Sequence, residues 1–87
     1  MFFSFAHPSI PAIRLDVKVN EDYEVLACAL VTIQPDGSDL REELVPGPMG
    51  TLPGNRLHEV GFDPIELGFQ IEEAVDDRAE RLGRSAL

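Results

Sequence analysis

Two pairs of adjacent carboxylates, Glu72/Glu73 and Asp76/Asp77, are the residues whose type and spacing come nearest to catalytic chemistry. A pair of carboxyl groups can divide acid and base roles when an apolar pocket raises the pKa of one member. At about 100° per residue, however, both pairs fall on one open polar arc of a helix. The spacing therefore does not predict general acid–base catalysis.

The sequence gives no better support for nucleophilic catalysis, for metal binding or for phosphate binding. Ser4 and His7 are close in sequence, but they lack the strand–turn–helix context in which a nucleophile and its base usually occur. His58 and Glu59, with Asp63 following, lack the second His or Cys that zinc sites use. The loop GPMGTLPG lacks the Lys-Ser/Thr pair of a phosphate-binding loop. We therefore expect no catalytic residue, no metal, no cofactor and no enzymatic activity.

The chain is short and acidic. It has 87 residues, sixteen acidic against seven basic side chains, and a net charge of −9. Such a surface repels phosphate, so we expect no direct binding to nucleic acid. No apolar run approaches the roughly 20 residues that span a bilayer, and MFFSFAHPSI does not resemble a secretory signal, so we expect no membrane association. The single cysteine, Cys28, lies in the most apolar run, which predicts a buried thiol and a cytoplasmic protein.

Alternation of apolar and polar side chains predicts an antiparallel sheet in the first half of the chain. The clearest alternation runs from Ile13 to Val19, and the almost continuously apolar residues 23–34 predict a central strand. A helix is the competing interpretation of Glu24 to Leu30, but the flanking β-branched residues favour the strand. After the turn at Pro35 to Ser38, Leu40 to Leu44 predict a returning strand.

The C-terminal segment predicts one long helix over residues 63–83. Asp63 can cap its first turn, Pro64 suits the first helical position, and Gly83 is placed to end it in a left-handed turn. Apolar side chains fall on one side of this helix: Leu67, Ile71, Ala74, Val75, Ala79 and Leu82. Carboxylates fall on the opposite arc: Glu66, Glu72, Glu73, Asp76, Asp77 and Glu80.

Together these elements predict a single α+β domain over residues 1–87. Residues 1–45 form a meander of three to four strands that includes a first strand at Phe2 to Phe5, residues 46–55 form a Pro/Gly loop, and the C-terminal helix covers one sheet face. Arg56 to Val60 predict a short edge strand. Because the central strand is apolar on both faces, its second face needs a cover, either the N-terminal phenylalanines or a second copy. We expect a homodimer.

The functional prediction depends on the acidic arc and on one aromatic residue inside it. Phe69 lies away from the apolar stripe, either packed on Ile65 and Phe62 or exposed as an anchor among carboxylates. The competing interpretation of the arc is a solvated helix face and nothing more. We expect a basic protein or protein complex to bind these residues: Glu66, Phe69, Glu73, Asp76, Asp77 and Glu80.

In size and charge the chain resembles the small acidic inhibitors that phages and mobile elements encode, including anti-CRISPR proteins and nucleic-acid mimics. The resemblance implies a viral-type inhibitor that blocks a basic, nucleic-acid-binding partner. The alternative is a structural or assembly subunit that homo-oligomerises through its apolar sheet face. A third interpretation is a small regulatory or ligand-binding domain that uses the 46–55 loop as a lid.

Overall fold

The computed structural model, which describes residues 1–85, is a four-stranded antiparallel sheet followed by helices. The strands pair in chain order: β1 (Phe2–Ala6), β2 (Ile13–Val19), β3 (Val25–Ile33) and β4 (Asp39–Leu44). A 3-10 turn at Pro48–Gly50 leads to helix α1 (Gly54–Glu59) and then to the long helix α2 (Pro64–Ser85). The α+β class, the meander and the long C-terminal helix are confirmed.

One face of the sheet and one side of α2 form the core. In the register of β2 and β3, Leu15 is opposite Leu30 and Val17 is opposite Cys28. These four side chains are at most 5% exposed and pack against three residues of α2: Leu67, Ile71 and Val75. The predicted burial of Cys28 is therefore confirmed, and burial raises the pKa of its thiol.

The predicted edge strand at residues 56–60 is wrong, since this segment belongs to α1 and the residues directly after it. Leu57 is fully buried and the backbone N–H of Val60 bonds to the carbonyl of Arg56, as in a helical turn. On the outer side Arg56 reaches Glu59, three residues on, at 3.2 Å. The segment is too short for its helical period to be distinguished from alternation. The predicted 46–55 loop also ends earlier than expected, because α1 begins at Gly54.

The middle of the second face of β3 is covered within one chain. Ala29 and Val31 lie on this face and are almost fully buried, at 0% and 1% exposed. Arg14 and Arg41 flank Val31 from the two neighbouring strands, so their aliphatic stems cover it, and Asp16 and Glu43 flank Ala29 in the same way. The phenylalanines do not fold across this face, because they belong to β1 at the sheet edge. Ala27 and Ile33 lie on the same face and are exposed, so the face is only partly covered, and the homodimer stays a prediction.

Helix α2 begins as predicted and continues beyond its predicted end. The Asp63 carboxylate accepts hydrogen bonds from the N–H groups of Ile65 (3.0 Å) and Glu66 (3.4 Å), which confirms the N-cap. Gly83 does not end the helix, which continues to Ser85, because glycine also tolerates ordinary helical angles. The buried stripe stops at Val75, and Leu82, which we expected in the core, is 60% exposed.

Candidate functional site

The six residues predicted to bind a partner all lie on α2 and are all exposed. We call this set the acidic face: Glu66, Phe69, Glu73, Asp76, Asp77 and Glu80. Helical spacing places them on the side away from the sheet, since the core side is occupied by Leu67, Ile71 and Val75. A shallow groove runs along the acidic face, and Phe5 at the sheet edge contributes to its lining. The structure therefore brings all six residues to one surface.

Phe69 is 63% exposed. The packing interpretation required support from Ile65 and Phe62, but Ile65 is itself 74% exposed. Phe62 points into the core, where its ring meets the ring of His7 at a centroid distance of 5.0 Å. This geometry favours the interpretation of Phe69 as an exposed anchor among carboxylates.

The carboxylates of the acidic face differ in their interaction partners. Asp77 forms an ion pair with Arg81, one helical turn on. Asp76 accepts a hydrogen bond of 2.5 Å from the hydroxyl of Tyr23, and this bond, with the adjacent negative charge, raises the pKa of Tyr23. In the part of the chain that the structure describes, Glu73 has no hydrogen bond or ion pair. Glu73 is therefore the residue of the acidic face best placed to meet a basic group.

A second surface feature, which the sequence analysis missed, is a cleft of about 380 Å³ between α2, the β2–β3 turn and the loop before α1. We call it the Tyr23/Met49 cleft. Its apolar lining includes Tyr23, Val25, Met49, Leu52, Ile65 and Ile71, with Gly68 in the wall that α2 provides. Its charged lining residues are three exposed acids: Asp22, Glu24 and Glu72. The volume is at the lower end of the range of ligand sites in proteins.

The two residues that name the cleft have an unusual backbone. Tyr23 has a φ of 65° and Met49 a φ of 58°, in the left-handed region that side chains with a Cβ rarely adopt. The side chain of Asn20 stabilises the Tyr23 turn by accepting hydrogen bonds from the N–H groups of Asp22 (2.9 Å) and Glu24 (3.0 Å). These φ values are invisible in the sequence, because neither position holds glycine or asparagine.

Gly50 fixes the 46–55 loop against the β2–β3 turn. It has a φ of 74°, and a Cβ at this position would lie only 2.8 Å from the Cβ of Glu24. The backbone of the loop therefore lies directly on Glu24. Met49, which precedes Gly50, lines the same cleft as Tyr23, and its side chain is 93% exposed. The middle of the predicted 46–55 loop, residues 49–52, thus forms a wall of the cleft.

An ionic network occupies the open face of the sheet. The carboxylate of Asp16 accepts hydrogen bonds from the Ser4 hydroxyl at 2.7 Å and from Arg14 Nε at 3.1 Å, and Arg41 Nη1 lies 3.4 Å away. Partial burial acts to raise the pKa of Asp16, but the hydrogen bonds and the two positive charges outweigh it, so that the pKa is lowered. These contacts hold charged groups over Val31 and account for its burial.

The structure separates Ser4 from His7. His7 is 8% exposed, and its Nδ1 accepts hydrogen bonds from the N–H groups of Ser9 (3.0 Å) and Ile10 (2.9 Å). Its Nε2 therefore carries the proton and donates to the carbonyl of Val60 at 2.8 Å. With both ring nitrogens engaged, His7 joins the β1–β2 turn to the end of α1 and is not available as a base for Ser4.

Comparison of the chain with protein-family models, with curated proteins and with solved structures gives no match. Within residues 1–85 no group of three or more His, Cys, Asp or Glu side chains is arranged to hold a metal ion. None of the helices in that range has the length and apolar character required to cross a bilayer. Function must therefore be inferred from the acidic face and the Tyr23/Met49 cleft.

Proposed function

We propose that the chain is a small, acidic, non-enzymatic and cytoplasmic protein-binding module that blocks a basic, nucleic-acid-binding partner, in the manner of phage- or mobile-element-encoded inhibitors. The observation that carries this proposal is the acidic face, where Phe69 is 63% exposed among carboxylates on one side of α2. An exposed aromatic side chain within a charged surface is a common composition for a binding hot spot.

The mechanism is competition for a positively charged groove. Carboxylates about one turn apart on α2, such as Glu73 and Asp76, present a row of negative charge along the helix. Basic residues that hold a phosphate backbone would bind this row instead. The charges would raise the association rate, and Phe69 would slow dissociation by burying apolar surface.

The test is a capture and displacement experiment. The immobilised chain is exposed to a lysate of its source cells, the retained protein is identified, and that protein is purified. Fluorescence anisotropy with a labelled DNA or RNA duplex then shows whether the chain displaces nucleic acid from it. We expect displacement at equimolar concentrations in low salt and weaker displacement at physiological salt, where the Debye length is about 8 Å. Capture of a protein that has no affinity for nucleic acid would contradict the proposal.

A second candidate function, a homo-oligomerising assembly subunit, is favoured by a different observation. β1 lies at the sheet edge, contains no charged residue, and Phe2 is 75% exposed. An uncharged edge strand can pair with another copy of itself. Sedimentation equilibrium of the wild type and of Ser4→Lys distinguishes the two candidates, since a β1-mediated dimer would dissociate in the variant. A wild type that remains a 9.6 kDa monomer at high concentration would exclude this role.

A further inference from the structure

Three residues that are locally unfavourable for the backbone line the Tyr23/Met49 cleft. Tyr23 and Met49 have positive φ values, which are sterically unfavourable for side chains with a Cβ. Gly68 lies inside α2, where glycine destabilises a helix relative to alanine. All three residues line the same cleft. Features that oppose local stability and converge on one place often indicate a functional site.

The packing of the core does not require the side chains of Tyr23 and Met49 or a glycine at position 68. A Cβ at Gly68 would meet no atom within 4 Å, so a side chain there would fit and would extend into the cleft. Met49 is 93% exposed and Tyr23 is 42% exposed, so their side chains contribute little to the core. The absence of a side chain at Gly68 keeps the cleft open, and the positive φ values direct two large apolar side chains to its sides.

The charge of the lining identifies the occupant. Asp22, Glu24 and Glu72 are exposed at the cleft, and none of the described residues that line it is basic. A second copy of this chain, with a net charge of −9, would bring like charges together. An apolar group flanked by positive charges would contact the apolar lining of the cleft and pair with its three carboxylates.

We propose that the Tyr23/Met49 cleft binds one large apolar side chain from a basic segment of a partner protein, with Lys or Arg residues on either side of that side chain facing Asp22, Glu24 and Glu72. The hydrogen bond from Tyr23 to Asp76 makes the cleft continuous with the acidic face. In that respect the inference rests on the proposed function, because it assigns to the same basic partner a second point of contact.

The binding test uses ¹⁵N-labelled protein and three capped pentapeptides: acetyl-KKLKK-amide, acetyl-KKSKK-amide and acetyl-EELEE-amide. We expect the leucine–lysine peptide to shift the amide signals of Tyr23, Gly50 and Gly68. The serine peptide should bind about tenfold or more weakly, as expected for the loss of one buried leucine side chain. The glutamate peptide should cause no shift.

Other outcomes would overturn the inference. Equal binding of the two lysine peptides, with shifts confined to residues 73–80, would leave the electrostatic function standing and remove the cleft from it. Shifts at the cleft that depend on the concentration of the protein alone would identify a second copy as the occupant. Absence of binding by all three peptides would reject the cleft as a site for such a segment.

Filling the cleft provides the matched pair of variants. Gly68→Leu places a side chain in the cleft, whereas Gly83→Leu makes the same change on the same helix at a position with no atom within 4 Å and outside the cleft. We expect Gly68→Leu to weaken the leucine–lysine peptide at least tenfold without changing the serine peptide, and Gly83→Leu to bind like the wild type. Wild-type affinity in Gly68→Leu would overturn the inference.

Met49→Asn tests the same site without filling it. Asparagine tolerates the left-handed conformation, so the loop is preserved while the apolar wall is lost. We expect several-fold weaker binding of the leucine–lysine peptide and unchanged binding of the serine peptide. Circular dichroism melts of all three variants verify that the fold is intact, and unchanged leucine-peptide affinity in Met49→Asn would count against the inference.

Discussion

The hydroxyl of Tyr23 donates a hydrogen bond of 2.5 Å to the carboxylate of Asp76, across 53 positions of sequence. Tyr23 lies in the β2–β3 turn and Asp76 lies in the middle of α2, so this bond joins the wall of the cleft to the acidic face. Because the phenol must keep its proton to donate, the bond raises the pKa of Tyr23. The two candidate surfaces are thereby one continuous surface.

The first prediction follows from this bond. The chain contains one tyrosine and no tryptophan, so ultraviolet absorbance of the phenolate reports on Tyr23 alone. Asp76→Asn removes the charged acceptor and should lower the pKa of Tyr23 towards its ordinary value of about 10. Asp39→Asn, an equal change of charge on β4, should leave the titration unchanged. Identical titrations in the wild type and Asp76→Asn would show that the bond does not form in solution.

The second prediction concerns the charge of the acidic face. Glu73→Lys should slow association with the captured partner several-fold at low salt, because a long-range attraction becomes a repulsion. The change should alter stability by less than about 0.5 kcal/mol, since Glu73 is exposed and makes no contact that folding depends on. Asp39→Lys changes the net charge equally on a different element. If both variants slow association to the same extent, the effect belongs to net charge and not to the acidic face.

The third prediction separates the anchor interpretation of Phe69 from the packing interpretation. Phe69→Ala should raise the dissociation rate of the partner complex by a factor equivalent to about 2 kcal/mol. Its thermal stability should remain close to that of the wild type, because the side chain is 63% exposed. Leu82→Ala, at 60% exposure on the same helix, is the matched control. A lower melting temperature with unchanged partner kinetics would support packing instead.

The fourth prediction concerns the glycine in the wall of the cleft. Gly68→Ala should stabilise the chain by about 1 kcal/mol, measured by urea denaturation, because alanine is the better helix former and its Cβ meets no atom within 4 Å. Gly61→Ala should do the opposite. Gly61 has a φ of 92°, and a Cβ there would lie 2.9 Å from Nε2 of His7. Destabilisation by Gly68→Ala would mean that glycine serves the fold and not the cleft.

The parts of the fold that the sequence could predict are those with a long period or strong end signals. Ile13 to Val19 alternate over seven residues, and α2 combines Asp63 as a cap with a regular apolar stripe. Helix α1 was missed because six residues do not establish a period. The cover over the middle of the second sheet face was missed because a hydropathy pattern counts Arg14 and Arg41 as polar, although the stems of their side chains are apolar.

The two candidate sites also differ in how far the sequence could predict them. The acidic face was predictable because helical spacing alone places its residues together. The Tyr23/Met49 cleft depends on two φ values at non-glycine positions and on contacts between segments distant in sequence, which no local pattern contains. Two signals were available: the 46–55 loop, interpreted above as a possible lid, and Gly68, since an isolated glycine inside a helical pattern often has a functional or packing reason.

The last prediction concerns the ionic network on the open sheet face. The pKa of Asp16 is lower in the folded chain than in the unfolded chain, where it is about 3.9. A lowered folded pKa contributes stability above the unfolded pKa, and that contribution is lost as the pH falls through the folded pKa. Asp16→Asn should therefore have a lower urea midpoint than the wild type at pH 7, because Ser4, Arg14 and Arg41 lose their charged partner.

The difference between Asp16→Asn and the wild type should shrink below about pH 4 and vanish once Asp16 is protonated in both states of the wild type. Asp39→Asn, on the same sheet face but outside the network, should follow the wild-type profile at every pH. A constant difference between Asp16→Asn and the wild type from pH 7 to strong acid would mean that shape, and not charge, makes Asp16 important. The aliphatic stems of Arg14 and Arg41 would then cover Val31 without the carboxylate that joins them.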